Sequence, residues 1–358
     1  MLNSLENPII FLNGSEYGVR MSLDEEGRDA GDAALIPSGN LNGLKIAVVP
    51  FPALGDITIY LRLCWLFCCA GAHVTFYSNA LYCARAYFPW LTVVPEDNDE
   101  LAQLAVRFEL VIACFEKYYS RMGAGLSYIS INNIALVSAK KIPANSGWDG
   151  CSATVRGQVI PRASRAFCLD SEAGRSMVEW VDSYANEVFG IDSHPMPELY
   201  GLDVIRNSRL VLIFPTSPQP KKNYWLVGFR WLATALLKKG WSVEFVCMPN
   251  ELEGLAKALP GSQVRSFPDI KTLIDHVSTA GTVISNDSGG GHLASMMGLP
   301  TYTITRRHRD FAWRPGFNTG NTVIYPLFRF KWMGSYIWRP FVPVRRIVKK
   351  MSRPQSVC

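Results

Sequence analysis

The fold is decided by residues 283–304, which have the sequence VISNDSGGGHLASMMGLPTYTI. The β-branched apolar residues up to Asp287 predict a buried strand, and three glycines follow it. A helix is predicted from His292 to Met297, where a Gly-Leu-Pro break ends it, and a further strand is predicted over residues 300–305. A strand, a glycine-rich connection, a helix and a second strand form one unit of a parallel sheet covered by helices.

The same alternation extends outward from this stretch. Apolar runs of strand length alternate with helical segments over residues 45–115 and again over residues 210–305. Residues 80–88 are predicted as one helix, and residues 121–165 as an irregular segment. The pattern predicts an α/β fold of two doubly wound, Rossmann-like parallel sheets with a cleft between them.

Proline and glycine mark the predicted boundary between the two halves. The segment 191–205 contains Pro195, Pro197 and Gly201, which favour a linker. The predicted organisation has five parts: a lead-in over residues 1–43, a first Rossmann-like domain over 44–190, the linker over 191–205, a second Rossmann-like domain over 206–326 and a basic aromatic tail over 327–358.

The glycine-rich connection is a candidate phosphate site. Glycines allow a close approach to the backbone, and the free N–H groups and positive dipole of a helix start bind anions. Hydrogen bonds from a serine and a histidine side chain would add to this. The alternative is a tight turn without a ligand. The candidate residues are Asp287, Ser288, Gly289, Gly290, Gly291 and His292.

Two further loops carry polar residues between a strand and a helix. The loop over residues 52–56 ends in Asp56, whose carboxylate could accept a proton from a substrate hydroxyl. The alternative is that Asp56 caps the next helix. In the loop over residues 215–225, Lys221 and Lys222 precede a helix whose dipole disfavours cations, which indicates an anionic ligand or, alternatively, exposed lysines.

These three segments together resemble glycosyltransferase family nine, the ADP-heptose:lipopolysaccharide heptosyltransferases. The resemblance covers roughly residues 45–326. Its most specific part is the signature Asp-Ser/Thr-Gly-x-x-His-Leu-x-x-x-x-Gly-x-Pro. The matching residues are Gly55 and Asp56 in the first loop, Lys221 or Lys222 before Trp225 in the lysine loop, and Asp287, Ser288, Gly289, His292, Leu293, Gly298 and Pro300 in the signature.

The resemblance implies a GT-B architecture, with the acceptor bound mainly on the first domain and an ADP-sugar donor on the second. Transfer would invert the anomeric carbon, with Asp56 as the base. Lys221 or Lys222 and the start of the helix would stabilise the leaving diphosphate without a required metal or other cofactor. Glu251 is a candidate for the nucleoside, although Cys247 and Met248 replace the two glycines that the family often has before this glutamate.

A metal-dependent sugar transferase would instead carry a DxD motif. Residues 97–99 have the letters Asp-Asn-Asp. They lie in an acidic run over residues 96–100, which is more typical of a solvated loop or a helix start. The sequence therefore predicts no metal site.

The C-terminal part of the chain is strongly basic. Residues 306–358 hold twelve Lys and Arg residues against one acid, Asp310, although the whole chain has a net charge of only +6. Together with the aromatic residues, this predicts contact with the inner-membrane surface and with an anionic lipopolysaccharide-core or other lipid-linked glycan acceptor. Nucleic acid is disfavoured because no nucleic-acid motif accompanies the charge. Some tail aromatics could alternatively pack back on the first domain as a crossover helix.

The nine cysteines form no CxxC pair, which favours reduced thiols in a cytosolic protein. No signal peptide is recognised, and the longest uncharged apolar run, residues 63–72, is too short to span a bilayer. The predicted location is cytoplasmic and peripheral on the inner face of a bacterial inner membrane.

The predicted function is transfer of a heptose or related sugar from an ADP-sugar to a lipopolysaccharide core or another surface glycan. Two alternatives remain. One is a capsule or O-antigen glycosyltransferase with a different nucleotide-sugar donor. The other is a non-catalytic glycan-binding relative with the same fold.

Overall fold

The computed structural model describes residues 40–96, 100–122, 128, 130–202 and 205–351 of the chain. The first part forms a parallel sheet with helices around it. Its strands are β1 (Lys45–Val49), β2 (His73–Tyr77), β3 (Thr92–Val94), β4 (Leu110–Cys114) and β5 (Ile134–Val137). Its helices are α1 (Leu54–Cys69), α2 (Asn79–Tyr82), α3 (Leu101–Arg107), α4 (Phe115–Met122) and α5 (Met177–Phe189). The strand order is β3-β2-β1-β4-β5, and a small antiparallel hairpin of β6 (Ala153–Val155) and β7 (Gln158–Ile160) precedes α5.

The second part forms a larger parallel sheet. Its strands are β8 (Asn207–Phe214), β9 (Ser242–Cys247), β10 (Gln263–Ser266), β11 (Ala280–Asn286), β12 (Thr301–Ile304) and β13 (Asn321–Ile324). Its helices are α6 (Leu226–Leu237), α7 (Leu252–Ala258), α8 (Ile270–Ser278) and α9 (Gly289–Met296). The strand order is β10-β9-β8-β11-β12-β13. A hairpin of β14 (Phe330–Trp332) and β15 (Ser335–Ile337) and a last helix, α10 (Arg345–Lys350), follow.

Both sheets are buried on both faces, which explains why their strands are apolar without alternation. In β1, Ile46 and Val48 point into one hydrophobic cluster, while Ala47 and Val49 point into another on the opposite face. The predicted α/β class with two doubly wound sheets is therefore confirmed.

The strand orders define where ligands bind in such sheets. In the first sheet the order reverses between β1 and β4, and in the second between β8 and β11. Adjacent loops leave the carboxyl ends of these strands in opposite directions, which opens a crevice at each reversal. Ligands are therefore expected at the loops after β1 and β4 and at those after β8 and β11.

Two local predictions were wrong. Residues 80–88 do not form one helix, because α2 ends at Tyr82 and a separate 3-10 turn follows over Arg85–Tyr87, which brings Tyr87 and Phe88 onto the core. Residues 121–165 are not uniformly irregular, because they include β5 and the β6–β7 hairpin. The β5 strand is only four residues long, but all four are buried at the edge of the first sheet.

The segment predicted as a linker is anchored on the first part. Its Pro195 carbonyl oxygen accepts a hydrogen bond of 2.8 Å from the Trp65 indole nitrogen in α1. The neighbouring Arg62 guanidinium pairs with Asp182 of α5 at 2.7 Å and also donates to the His194 carbonyl oxygen. These bonds hold the segment along α1.

Within residues 327–351, the described part of the tail packs on the second half of the chain. Its buried Trp338 and Ile347 belong to a cluster on the outer face of the second sheet. The Lys239 ammonium, just after α6, donates to the Val348 carbonyl oxygen of α10. The tail packs here because α6 offers an apolar face that the sheet does not cover. Within the described residues, no helix has the length and apolar character needed to cross a membrane.

Candidate functional site

Asp56 lies in the first turn of α1, directly after the carboxyl end of β1. The helix begins at Leu54, and its N-cap residue is Ala53. Asp56 is therefore the third helical residue, and the alternative that it caps the helix is wrong. Its carboxylate sits at the reversal point of the first sheet, where a ligand would be expected.

The surroundings of Asp56 raise the pKa of its carboxyl group from 3.8 to about 7. Burial is the main cause, and the negative charge of Glu116 adds to it. The positive charges of Lys140 and Lys222 act in the opposite direction but do not cancel the effect. A carboxyl group with a pKa near neutrality is suited to accept and release a proton at physiological pH.

Glu116 is a site residue that the sequence analysis missed. It is the second residue of α4, which directly follows β4, the strand beside β1. Its carboxylate accepts hydrogen bonds from the Ser138 hydroxyl at 2.5 Å and from the Cys114 thiol at 3.2 Å. A polar residue after the fully apolar β4 could have indicated it, because β1 and β4 end at the same edge of the sheet.

The signature segment differs from its prediction at one point. The strand β11 ends at Asn286, and α9 begins at Gly289, three residues before the predicted start. The glycines are therefore the first turn of the helix and not a loop in front of it. None of the three has a positive φ, so backbone conformation does not require glycine here.

Space requires the glycines instead. A Cβ atom on Gly289 would lie 2.7 Å from the Leu54 Cβ atom. A Cβ atom on Gly290 would lie 2.5 Å from the Phe214 ring, and one on Gly291 would lie 2.4 Å from the Ser285 hydroxyl oxygen. The start of α9 therefore packs against β8 and against the start of α1 at a distance that no side chain allows.

This packing joins the two sequence motifs. A Cβ atom on Gly55 would lie 3.5 Å from the His292 Cδ2 atom and 3.7 Å from the Gly289 Cα atom. The start of α1, which carries Asp56, thus directly contacts the start of α9. Both strand-order reversals open onto the same junction.

Polar side-chain atoms are also buried at this junction. Among the described residues, neither the buried His292 Nδ1 atom nor the Ser288 hydroxyl has a hydrogen-bond partner. Burial lowers the pKa of His292 to about 4, so its ring is neutral at pH 7. Together with the N–H groups of Gly289 and Gly290 at the start of α9, these atoms form a polar surface that suits a phosphate group.

The structure separates the two candidate lysines. The Lys222 ammonium lies 3.1 Å from the Asp287 carboxylate at the end of β11, and its charge also acts on Asp56 and His292. Lys221 is exposed, and its side chain forms no ion pair with a described residue. Lys222 is therefore the lysine at the junction.

The loop that carries Lys222 is fixed from two sides. The buried Asn286 side chain accepts a hydrogen bond of 2.9 Å from the Tyr224 backbone and donates one to the Pro215 carbonyl oxygen. From the tail, the Arg339 guanidinium donates to the carbonyl oxygens of Asn223 at 2.6 Å and Pro220 at 3.1 Å. Neither Asn286 nor Arg339 was a sequence candidate, although both position the lysine.

Glu251 follows β9 at the same edge of the second sheet. Its carboxylate accepts hydrogen bonds from the Thr216 hydroxyl at 2.8 Å and from the Met248 backbone at 3.1 Å. Glu251 therefore ties the lysine loop to its own loop, and it is only partly buried. The Asp97–Asp99 motif of the metal alternative lies outside the described residues.

Comparison with known proteins gives a consistent result. The profile of Glycosyltransferase family 9 (heptosyltransferase) matches residues 133–325, more than half of the chain. No curated protein is significantly similar to the chain in sequence.

Several solved structures share the fold. The E. coli heptosyltransferase WaaC with ADP is 12% identical, with a TM-score of 0.58 over 86% of this chain and 98% of the other. The E. coli ADP-heptose lps heptosyltransferase II is 15% identical, with a TM-score of 0.59 over 86% and 97%. A glycosyl transferase family 9 protein from Veillonella parvula DSM 2008 is 16% identical, with a TM-score of 0.61 over 87% and 97%. The fold is therefore that of the GT-B enzymes.

Proposed function

The chain belongs to glycosyltransferase family 9, and we propose that it moves a heptose or related sugar from an ADP-sugar to a lipopolysaccharide core or another surface glycan. The observation that carries the proposal is the contact between the starts of α1 and α9, which places Asp56 beside the surface formed by Lys222, Ser288 and His292. A base and an anion-binding surface are the two parts that such a transfer requires.

The donor diphosphate would bind at the start of α9. The N–H groups of Gly289 and Gly290 would donate to its oxygens, and the Ser288 hydroxyl and the neutral His292 ring would add hydrogen bonds. The Lys222 ammonium would supply positive charge. ADP is the assigned nucleotide because the similar E. coli WaaC structure contains ADP.

Asp56 would act as the base in a single displacement. Its carboxylate takes the proton of an acceptor hydroxyl while that oxygen attacks the anomeric carbon. The bond from this carbon to the diphosphate oxygen breaks, and the electron pair leaves with ADP. Attack from the side opposite the leaving group inverts the anomeric carbon. The developing charge on the diphosphate is stabilised by Lys222 and the helix start, in a site that is already formed.

The β14–β15 hairpin supports a peripheral membrane position on the inner face of a bacterial inner membrane. Its tip exposes Trp332 at 62% and Met333 at 90%, and Lys331 is also exposed between the aromatic residues of β14. Aromatic and basic side chains together are favoured at the interface of an anionic bilayer.

Vesicle flotation tests this membrane contact. The double variant W332S/M333S should reduce binding to anionic vesicles, while V106S, at an equally exposed apolar site in α3, should not.

A nucleotide-release screen tests the function. Purified protein is incubated with ADP-heptose, GDP-mannose or UDP-glucose and a deacylated lipopolysaccharide-core acceptor, and the released nucleotide is measured. The proposal predicts acceptor-dependent release of ADP. Release of only GDP or only UDP would assign a different donor. A protein that binds ADP but releases no nucleotide from any of the three donors would be a non-catalytic relative.

A further inference from the structure

A cavity of about 280 Å³ lies beside the proposed donor site, and no step of the transfer described above uses it. It opens next to the segment that follows β12. Its lining combines cationic, aromatic and hydroxyl or carboxylate side chains. The lining residues include Arg306, Arg307, Arg329, Tyr336, Ser171 and Glu172.

The cavity has an excess of positive charge. Among the described residues, no carboxylate forms an ion pair with Arg306, Arg307 or Arg329, and Arg329 donates only to the Arg306 carbonyl oxygen, at 2.9 Å. The nearby Arg309 differs, because its guanidinium is paired with Asp310 at 3.1 Å. Arginines that line one cavity and have no carboxylate partner favour a phosphate, which two of them can bind through paired hydrogen bonds.

The rest of the lining fits a sugar ring better than a bare ion. The Arg306 guanidinium lies 5.9 Å from the centre of the Tyr336 ring, so this ring forms an apolar wall beside the charge. From the first half of the chain, Ser171 and Glu172 supply a hydroxyl and a carboxylate. Such groups bind hydroxyls, while the arginines bind the phosphate.

The position of the cavity relates it to the transfer. Arg306 lies two residues after β12, as Ser288 lies two residues after β11, and the two strands are neighbours in the sheet. Neighbouring strands are about 4.8 Å apart. The connecting segment returns to the junction at Trp313, whose ring lies 5.7 Å from that of His292. The cavity is therefore adjacent to the donor site but shares none of its residues.

We propose that this cavity binds the phosphate group of a phosphorylated saccharide, and that it holds this substituent of the acceptor while another hydroxyl of the acceptor reacts. The role of this saccharide as the acceptor rests on the proposed function, whereas the binding of its phosphate group does not. Binding of a sugar phosphate at these arginines can be measured without transfer.

The test is calorimetric titration with glucose 6-phosphate, with glucose as the uncharged control, in the presence of saturating ADP. We expect glucose 6-phosphate to bind and glucose not to bind. R307Q and R329Q should each weaken this binding about tenfold, since each removes charged hydrogen bonds to the phosphate. R309Q, a matched change outside the cavity lining, should leave it unchanged, and all three variants should bind ADP as the wild type does.

The proposal is overturned if the ADP-loaded wild type does not bind glucose 6-phosphate, or if it binds this ligand only when ADP is absent. It is also overturned if R307Q, R329Q and the wild type bind glucose 6-phosphate with equal affinity. A fourth contrary result is a protein that binds phosphatidic acid in phosphatidylcholine vesicles but not glucose 6-phosphate. The last result would assign a lipid headgroup instead of a saccharide. Failure of the wild type to bind ADP would contradict the proposed function, but it would not contradict the binding of a sugar phosphate in this cavity.

Discussion

The Lys222 ammonium lies 3.1 Å from the Asp287 carboxylate, so one ion pair spans the strand-order reversal of the second sheet. Asp287 is 7% exposed and Lys222 is partly exposed, so the carboxylate holds the lysine from the inside and leaves its ammonium accessible. A diphosphate at the start of α9 would meet a cation that is already in position. Such preorganisation reduces the cost of ordering the site when the ligand binds.

The two lysines give the first prediction. K222M should weaken ADP binding at least tenfold, because it removes the cation that pairs with Asp287 just before the start of α9. K221M should change the dissociation constant less than about twofold, since Lys221 is exposed to water and screened by salt. Isothermal titration with ADP measures both. Equal losses of ADP affinity in the two variants would show that binding depends on the total positive charge near the site and not on Lys222 in particular.

The raised pKa of Asp56 predicts a pH-dependent effect of D56N on stability. The folded state keeps the Asp56 proton up to about pH 7, whereas the unfolded chain loses it near pH 3.8. The folded state therefore binds more protons in this range, and this group makes the free energy of unfolding fall as pH rises from about 4 to 7.

D56N removes this pH-dependent loss of stability because asparagine does not ionise. Its melting temperature should exceed that of the wild type by several degrees at pH 8 and should equal it at pH 4. Differential scanning calorimetry at the two pH values decides the question. An equal difference in melting temperature between D56N and the wild type at both pH values would mean that ionisation of Asp56 does not destabilise the folded state.

Glu116 provides a test of the charge coupling in the site. Its negative charge raises the pKa of Asp56, so E116Q should lower that pKa. Because the base acts in its ionised form, the acidic limb of the pH profile of kcat/KM should move to lower pH. The control is E253Q, which changes an exposed glutamate of α7. A profile that does not move in E116Q would place Glu116 too far from the reacting base.

The glycine contacts predict a matched pair of alanine variants. G289A should lower the melting temperature and weaken ADP binding, since its Cβ atom would lie 2.7 Å from the Leu54 Cβ atom at the junction of α1 and α9. G254A, within α7 and with open space at its Cβ position, should stabilise the protein by about 0.5–1 kcal/mol. Thermal unfolding and ADP titration measure both effects. A G289A variant that behaves like G254A would contradict the tight junction.

Much of the fold could be predicted because its strands are buried on both faces and therefore appear as apolar runs. The alternation predicted over residues 210–305 corresponds to the run of strands and helices from β8 to β12. The start of α9 was placed too late, because glycine disfavours helices in isolation. Tertiary packing overrides this preference, since only glycine fits between α9, β8 and α1.

The site residues missed by the sequence analysis depend on neighbours that are distant in the chain. Glu116 acts on Asp56 because β4 pairs with β1, and Arg339 reaches the lysine loop because the tail packs on α6. Short motifs do not contain such information. Local sequence did supply the residues that surround the junction, but not the choice of Lys222 over Lys221, which follows from the position of Asp287.

We expect one junction to hold both the donor diphosphate and the base. A crystal structure of the chain with bound ADP-heptose would locate both. In it, the diphosphate should accept hydrogen bonds from the Gly289 and Gly290 backbone, with Lys222 beside it and the anomeric carbon facing Asp56. A nucleotide bound away from the start of α9, or an anomeric carbon turned away from Asp56, would contradict it.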